Sequence, residues 1–245
     1  MTSVWIYGIS GRMGQALVRC LHADEEFCCR GGSTSTGDVD AQGNPLDLKT
    51  QLTSADAFID FSTCTGNASL LRRLVAEQAQ DKTVLIATTG LDNHDAWRQA
   101  AASLRMRLLF APNTSVGIAV LLKSVLAAKK LLATSDFDIE IVETHNRHKR
   151  DAPSGTAKHL AAQLADHDTK TSSGRNAQRQ MGEIGLHAVR GGDVSGEHTV
   201  SFFGMDEELH FTHRARDRRL FAKGALTLVS WLAAKDIGVY QLADV

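Results

Sequence analysis

A short apolar run at residues 4–7 leads directly into Gly8-Ile9-Ser10-Gly11-Arg12-Met13-Gly14. A helical period starts at once behind it, with Met13, Ala16, Leu17 and Cys20 on one face. Strand, glycine turn and helix in direct succession restrict the fold, because glycines let the chain turn tightly and the helix pack close to the strand. The alternation continues. Residues 27–30 (weakly), 57–61, 84–88 and 107–111 read as strands. Residues 67–80, with Leu70, Leu71, Leu74 and Val75 at helical spacing, and residues 93–104 read as helices. Such alternation implies parallel strands with crossover helices, so the first half predicts an α/β fold with a Rossmann-type doubly wound sheet.

After Pro112 the pattern changes. Residues 115–132 read as a long apolar helix, 138–144 as a strand and 156–164 as a helix. In that strand Ile139 and Ile141 share one face, and Glu140 and Val142 the other, so the alternation is imperfect. Residues 166–182 are polar without a period and read as a long loop. Three strand candidates follow at 186–190, 198–203 and 208–213. The turn material between them, Gly191-Gly192-Asp193 and Gly204-Met205-Asp206, suits antiparallel connections. A last apolar helix is expected over 221–234, returning the chain to its first domain.

Composition excludes the more exotic classes. The chain has 245 residues, 43% hydrophobic and 22% charged, as an ordinary globular protein does. A net charge of −1 supplies no field toward nucleic acid or membrane. The start lacks a basic leader with a long apolar core, and the best apolar run, 116–126, is broken by Lys123. A cytoplasmic location without membrane contact is expected. Cys20, Cys28, Cys29 and Cys64 form no C-x-x-C pair, so they read as small buried hydrophobes in a reducing compartment, and no metal site is expected.

The G-x-x-G-x-x-G spacing is a variant of the dinucleotide fingerprint, in which a pyrophosphate rests on the helix N-terminus. A plain tight turn is the alternative. The second strand runs into Arg30-Gly31-Gly32-Ser33-Thr34-Ser35-Thr36, with no acid for a ribose 2′-hydroxyl. That absence permits NADPH, whose phosphate Arg12 and Arg30 can meet unless they are simply solvated; NADH stays compatible. Ala87-Thr88-Thr89-Gly90 and Ala111-Pro112-Asn113-Thr114-Ser115-Val116-Gly117 fall at carboxyl ends of strands, where open α/β sheets place ligands. Ordinary βα turns would look the same.

Residues 143–157 concentrate the acid/base chemistry: Glu143-Thr144-His145-Asn146-Arg147-His148-Lys149-Arg150-Asp151-Ala152-Pro153-Ser154-Gly155-Thr156-Ala157. A strand would aim His145, Lys149 adds a cation, and a helix opening near Gly155 offers N–H groups and partial positive charge. That equipment suits one carboxylate or two. Arg147 is a further cation and His148 a second acid or a surface residue. The plainer reading is a solvated basic turn with Ser154 as a helix cap. The run is short and lacks interleaved aromatics, unlike a nucleic-acid site. Arg214-Ala215-Arg216-Asp217-Arg218-Arg219 is a second basic cluster, by default a charged surface.

Together these pieces carry a resemblance. Gly8 to Gly14, Asp60-Phe61-Ser62, Thr88-Thr89-Gly90, Asn113 with Ser115-Val116-Gly117, residues 143–157, Gly192-Asp193 with Gly196-Glu197-His198-Thr199, and Phe221-Ala222 with Gly224-Ala225 span essentially the whole chain. The sequence resembles the 4-hydroxy-tetrahydrodipicolinate reductase (dihydrodipicolinate reductase) family of bacterial lysine and diaminopimelate biosynthesis. The resemblance implies a dinucleotide-binding domain at 1–115 and 218–245. It also implies an α+β substrate-binding and oligomerisation domain at 116–217, whose open mixed sheet assembles a homotetramer. It implies NADPH- or NADH-dependent reduction of a small anionic cyclic dicarboxylate. On this reading hydride is expected to go to ring carbon 4 of an unsaturated imine, and the resulting enamine to take a proton. By motif, the general acid falls on His145 and its cationic partner on Lys149. Substrate contacts fall on Asn146, Ser154, Gly155 and Thr156. Cofactor contacts fall on Gly8, Ile9, Ser10, Gly11, Arg12 and Met13, on Ala87, Thr88 and Thr89, and on Ala111, Pro112, Asn113 and Thr114. Arg218 corresponds to a cofactor- or substrate-proximal arginine.

One departure is Asn146, where the family usually has a second histidine; an amide donates a hydrogen bond but carries no charge. Arg147 and Lys149 are expected to lower the His145 pKa, and a bound dianion to raise it. Two rival readings are a reductase of another small cyclic acid and a catalytically silent NAD(P)-binding sensor.

Overall fold

The computed structural model describes residues 1–46, 54–133 and 136–245. The chain divides into two compact units, Met1–Val116 with Arg218–Val245, and Gly117–Asp217.

The first unit is built on a seven-stranded sheet. In chain order it contains β1 (Thr2–Tyr7), α1 (Arg12–Leu21), β2 (Phe27–Ser33), β3 (Asp38–Val39), β4 (Ala57–Asp60), α2 (Cys64–Ala76), β5 (Thr83–Ile86), α3 (His94–Ser103) and β6 (Arg107–Phe110). After the second unit come α6 (Arg219–Ala233) and β12 (Gly238–Gln241). The strand order is β12-β6-β5-β4-β1-β2-β3, parallel except for the β2–β3 pair. Central strands are apolar and buried along their length, as a sheet covered on both faces requires. The expected doubly wound architecture is present.

Several boundaries differ from expectation. β2 continues three residues past Arg30, through the glycines to Ser33. The helix expected from 67 starts at Cys64, because the Thr63 side chain caps it by accepting the Gly66 N–H. It stops at Ala76, and Gln78 just beyond has φ 49°. Two edge strands escaped notice: β3 is two residues long, and β12 is short and half-exposed. The cysteines are less buried than expected; Cys20, Cys28 and Cys29 are half-buried, and Cys64 is exposed because it opens a helix at the edge of the sheet.

Trp5, Phe58, Leu70, Leu74, Val84, Trp97 and Met106 belong to one core cluster. A polar knot is sunk beside it. Asn67 is fully buried; its Nδ2 donates to Asp60 Oδ2 (2.8 Å), and its Oδ1 accepts from Asn93 Nδ2 (3.0 Å) and Trp97 Nε1 (2.9 Å). One amide thus joins α2 to β4, to α3 and to the residue preceding α3.

The second unit contains α4 (Val116–Leu131, beginning at the unit boundary), β7 (Asp138–His145), α5 (Gly155–Leu164), β8 (Thr171–Ser173), β9 (Ile184–Arg190), β10 (Gly196–Phe203) and β11 (Glu208–Ala215). The strand order is β11-β10-β7-β9-β8. β10 and β11 pair antiparallel, while β7, β9 and β8 pair parallel, so the sheet is open and mixed. β8 lies within the stretch read as a loop, where its polar, half-exposed residues carry no hydrophobic period. Gly204 and its neighbours make the expected hairpin between β10 and β11. Gly191-Gly192-Asp193 also joins two strands that run antiparallel, β9 and β10, but β7 lies between them.

Register explains the imperfect alternation of β7. Ile139 and Ile141 stand beside Phe202 and Val200 of β10 and Ile184 and Leu186 of β9. Farther along the same face come Glu143 and His145, beside His198 of β10 and Arg190 of β9. That face is apolar at one end and ionisable at the other. On the opposite face Val142 and Val189 remain 38% and 48% exposed, leaving apolar side chains open to solvent. Among the described residues, no helix is long and apolar enough to cross a membrane.

Asn67→Ala would strand Trp97 Nε1 and one Asp60 oxygen in the core. It is expected to destabilise the protein by about 3 kcal/mol, since each orphaned buried group costs roughly 1–3 kcal/mol. The shift of the first unit's urea midpoint at constant m measures this.

Candidate functional site

In the first unit the glycine turn is tightly packed. Gly8 has φ +81°, donates its N–H to Ser33 O (2.9 Å), and lies where a Cβ would come within 2.8 Å of Phe61 O. A Cβ on Gly14 would collide with the Gly8 carbonyl oxygen. The N-cap of α1 is Gly11, with no side-chain cap and no acid in the first turn. Its first-turn N–H groups and positive dipole end therefore face the turn undiminished, which suits a pyrophosphate. Ile9 is buried, Met13 half-buried, and Ser10, Gly11 and Arg12 are exposed.

β1, β5 and β6 are parallel strands of one sheet, so their carboxyl-end loops share one edge. After β5, Ala87 is half-buried and Thr89 exposed, while Thr88 is only 8% exposed and its buried Oγ1 has no hydrogen-bond partner among the described residues. After β6, Ala111 is buried and Pro112 exposed. Asn113 Oδ1 accepts from Ser115 N (2.9 Å), and Thr114 Oγ1 donates to Phe221 O (2.7 Å). All three segments thus follow carboxyl ends of parallel strands along one edge of the sheet. The glycine cradle, the uncapped helix and the orphaned Thr88 hydroxyl fit a dinucleotide.

At the end of β2, sequence reading missed an acid. Asp38 on β3 stands opposite Ser33 in the register. Arg73 grips its carboxylate twice, Nη1–Oδ1 at 3.1 Å and Nη2–Oδ2 at 2.8 Å. Arg73 also donates to Tyr7 Oη (2.9 Å) and Ser33 Oγ (3.2 Å). The acid is neutralised in place, while Arg12 and Arg30 are exposed.

In the second unit one carboxylate organises the ionisable end of the sheet. Glu143 is fully buried. Its Oε2 is hydrogen-bonded to His145 Nδ1 and accepts from Arg190 Nη1 (2.8 Å). Its Oε1 accepts from Arg190 Nη2 (2.8 Å) and from the Ser154 N–H (3.0 Å). Residues two apart on a strand share a face, so Glu143 and His145 meet by pleat alone. Arg190 is brought opposite His145 by the parallel β7–β9 register. On β10, His198 stands opposite Glu143, with ring centroids 5.1 Å from His145 in an edge-on contact. Gly196 lies beside the His145 ring, so that a Cβ there would come within 3.1 Å of Nε2.

The neighbouring loop places the remaining expected residues. Lys149 Nζ lies 2.9 Å from Asp151 Oδ1. Asn146 is half-buried, and its Oδ1 accepts the His148 N–H (3.1 Å), so it shapes the loop; His148 itself is exposed. Ser154 is buried and caps α5, its Oγ accepting from Ala157 N (3.2 Å) and lying 3.2 Å from His198 Nε2. Gly155 is exposed with open space around it, and Thr156 is half-buried. Arg218 is exposed and lies in the first unit.

Burial pushes the Glu143 carboxyl up, but the bonds from Arg190, His145 and Ser154 outweigh it and hold the group below the ordinary range. Burial pushes His145 down; Glu143 opposes this, and Lys149 and Arg190 reinforce it. Arg190 therefore plays the part expected of Arg147, which is exposed. Burial, aided by His145, pushes His198 down to about 3, so it is a neutral ring at physiological pH. Glu143, Arg190 and His198 were not singled out by role from sequence. The one local sign was an acid at a position of β7 where the period asks for an apolar residue.

Comparison with known proteins bears on the whole chain. A family profile described as "Dihydrodipicolinate reductase, N-terminus" matches residues 2–114, and one described as "Dihydrodipicolinate reductase, C-terminus" matches residues 117–245. A 4-hydroxy-tetrahydrodipicolinate reductase of Wolinella succinogenes is 40% identical over 265 residues, covering 100% of this chain and 98% of the relative. One of Nitratiruptor is 38% identical over 264 residues, with the same coverage. Among solved structures, a dipicolinate-bound dihydrodipicolinate reductase from Paenisporosarcina has a TM-score of 0.76 at 21% identity, covering 100% of this chain and 99% of that one. A DAP dehydrogenase of C. glutamicum has a TM-score of 0.60 at 12% identity, covering 99% and 93%. These two likenesses concern the fold. With both of its halves matched and relatives near 40% identity along its whole length, the chain belongs to the dihydrodipicolinate reductase family, NAD(P)H-dependent oxidoreductases of diaminopimelate and lysine biosynthesis.

Proposed function

We propose that this chain reduces 4-hydroxy-tetrahydrodipicolinate, by way of dihydrodipicolinate, to tetrahydrodipicolinate, with His145 as the proton donor. The observation that carries the assignment is the shared carboxylate of Glu143, which ties the His145 ring and the Ser154 turn into one rigid group. Bound NADPH or NADH supplies the hydride that arrives at ring carbon 4 of the substrate. Gly8 to Met13 would seat the pyrophosphate on the N-terminus of α1, and the loops at Ala87 to Thr89 and Ala111 to Thr114 would hold the nicotinamide and its ribose. Electron density then moves to the ring nitrogen of the substrate, and the enamine carbon takes a proton from His145 Nε2.

The anionic groups fall to the chain's polar turn. Ser154, Gly155 and Thr156 at the start of α5 fix one carboxylate through the helix N-terminus, with Asn146 donating from the loop. Lys149, held near His145 by Asp151, supports charge as it develops. In the free protein the low pKa of His145 keeps the ring neutral near pH 7. A dianionic substrate raises that pKa, so the acid is charged when it is needed. Assembly as a homotetramer through the open face of the second sheet is part of the same reading, supported by the exposed Val142 and Val189.

His145→Gln is expected to lower kcat by about 10²- to 10⁴-fold, the usual contribution of a general acid, with the NADPH Kd unchanged in a fluorescence titration. An acid must be protonated to act, so activity is lost as pH rises through its pKa. In steady-state pH profiles the alkaline limb of kcat/KM, which reports the free protein, should lie below the ordinary histidine value, and that of kcat above it. Turnover in His145→Gln equal to wild type would remove the assignment. Val189→Arg is expected to yield a smaller species by native mass spectrometry; an unchanged mass would place assembly elsewhere.

A further inference from the structure

The acid assigned to His145 has a ring with two nitrogens, and only one of them can face the substrate. We propose that Glu143, clamped by Arg190, is the positioning residue that keeps the His145 proton on Nδ1 and thereby makes Nε2 the atom that delivers the proton. This rests on the reading of His145 as the acid.

The argument is one of donors and acceptors. Glu143 receives four bonds on two oxygens, from His145, from both terminal nitrogens of Arg190 and from the Ser154 N–H. Two of those donors are permanently protonated groups, a guanidinium and a backbone amide, which have nothing to accept. An ionised carboxylate so surrounded can only accept, so the nitrogen facing it must carry hydrogen. That nitrogen is Nδ1. Nε2 is left on the side of Gly196, where the missing side chain keeps the approach clear.

The surrounding charges suit the role. His145 faces Glu143 on its own strand, Arg190 from β9, the neutral His198 from β10, and Lys149 with its partner Asp151 from the loop. Arg190 balances Glu143, so the carboxylate orients the ring without holding it permanently as imidazolium. Arg190 also donates to Asp151 O (2.6 Å), which fastens the loop to the same clamp. The second oxygen of Glu143 holds the Ser154 N–H, so the distance from acid to carboxylate-binding turn is set by a single side chain.

Side-chain ¹⁵N spectra of the whole wild-type protein above pH 7.5, assigned by the peak lost in His145→Gln, test the first step directly. Nδ1 should be the protonated nitrogen and Nε2 the bare one. The opposite tautomer would overturn the proposal whatever any variant does. Glu143→Gln should then lose this preference and lower the midpoint of the His145 titration. Its kcat should drop about 10²-fold, within the range of a mispositioned general acid, with the NADPH Kd held within about 2-fold. Glu143→Asp, which keeps the charge, should restore part of kcat and the Nδ1–H tautomer. Unchanged tautomer and unchanged kcat in Glu143→Gln would refute the role. Because removing one partner of a buried pair leaves the other charge uncompensated, Glu143→Gln/Arg190→Gln serves if the single variant does not fold, with the same spectral loss expected. If His145→Gln turns over normally while the Glu143→Gln spectra change as described, the acid assignment fails and the ring-orienting role of Glu143 stands.

Discussion

A carboxylate with no exposure to water survives only where its partners replace the water. Glu143 has three of them, making four hydrogen bonds, and the second unit is arranged so that it does. The apolar end of the covered face, Ile139, Ile141, Val200 and Phe202, packs as a sheet core would. Two residues farther on, the same face has become a site. Removing Arg190 would leave a buried charge at a cost of about 3–5 kcal/mol, more than most single contacts supply. Stability and chemistry therefore draw on one interaction. The turn at Ser154 and the ring of His145 are held because Glu143 is held.

The cofactor end follows a different logic. There the backbone does the shaping, through a glycine turn that tolerates no side chain at Gly14 and an α-helix left uncapped by any side chain. Asp38 shows how the unit treats a carboxylate near this edge. Arg73 neutralises it, so it presents little repulsion to an anion.

Much of this was legible in the sequence, for local reasons. Strand–turn–helix order and glycine spacing are set within about ten residues, and they announced the doubly wound sheet and the fingerprint. The 143–157 run is equally compact, so His145, Lys149 and the Ser154 turn could be read from it. Arg190 could not be, because it lies 47 positions from Glu143 and reaches it only through the parallel β7–β9 pairing. His198 needed the β10–β7 register, and Arg73 with Asp38 needed contact across 35 positions. β3, β8 and β12 were missed because runs of two to four residues are too short to carry a period. The Gly191-Gly192-Asp193 turn announced the reversal between β9 and β10 but not that β7 would lie between them, because turn chemistry reports that the chain reverses, not which strand it returns beside.

β7 interleaves two inheritances along eight residues. Its odd positions from 139 to 145 carry core residues and then Glu143 and His145; Val142 and Thr144 point the other way, to the open side. A slip of one residue in pairing would trade the two sets completely. Evolution therefore has little freedom to insert or delete a residue here. Surface drift on the outward positions must be bought within a strand whose inward ones are frozen, so divergence among descendants of this chain should accumulate by substitution on one side while length and phase stay constant.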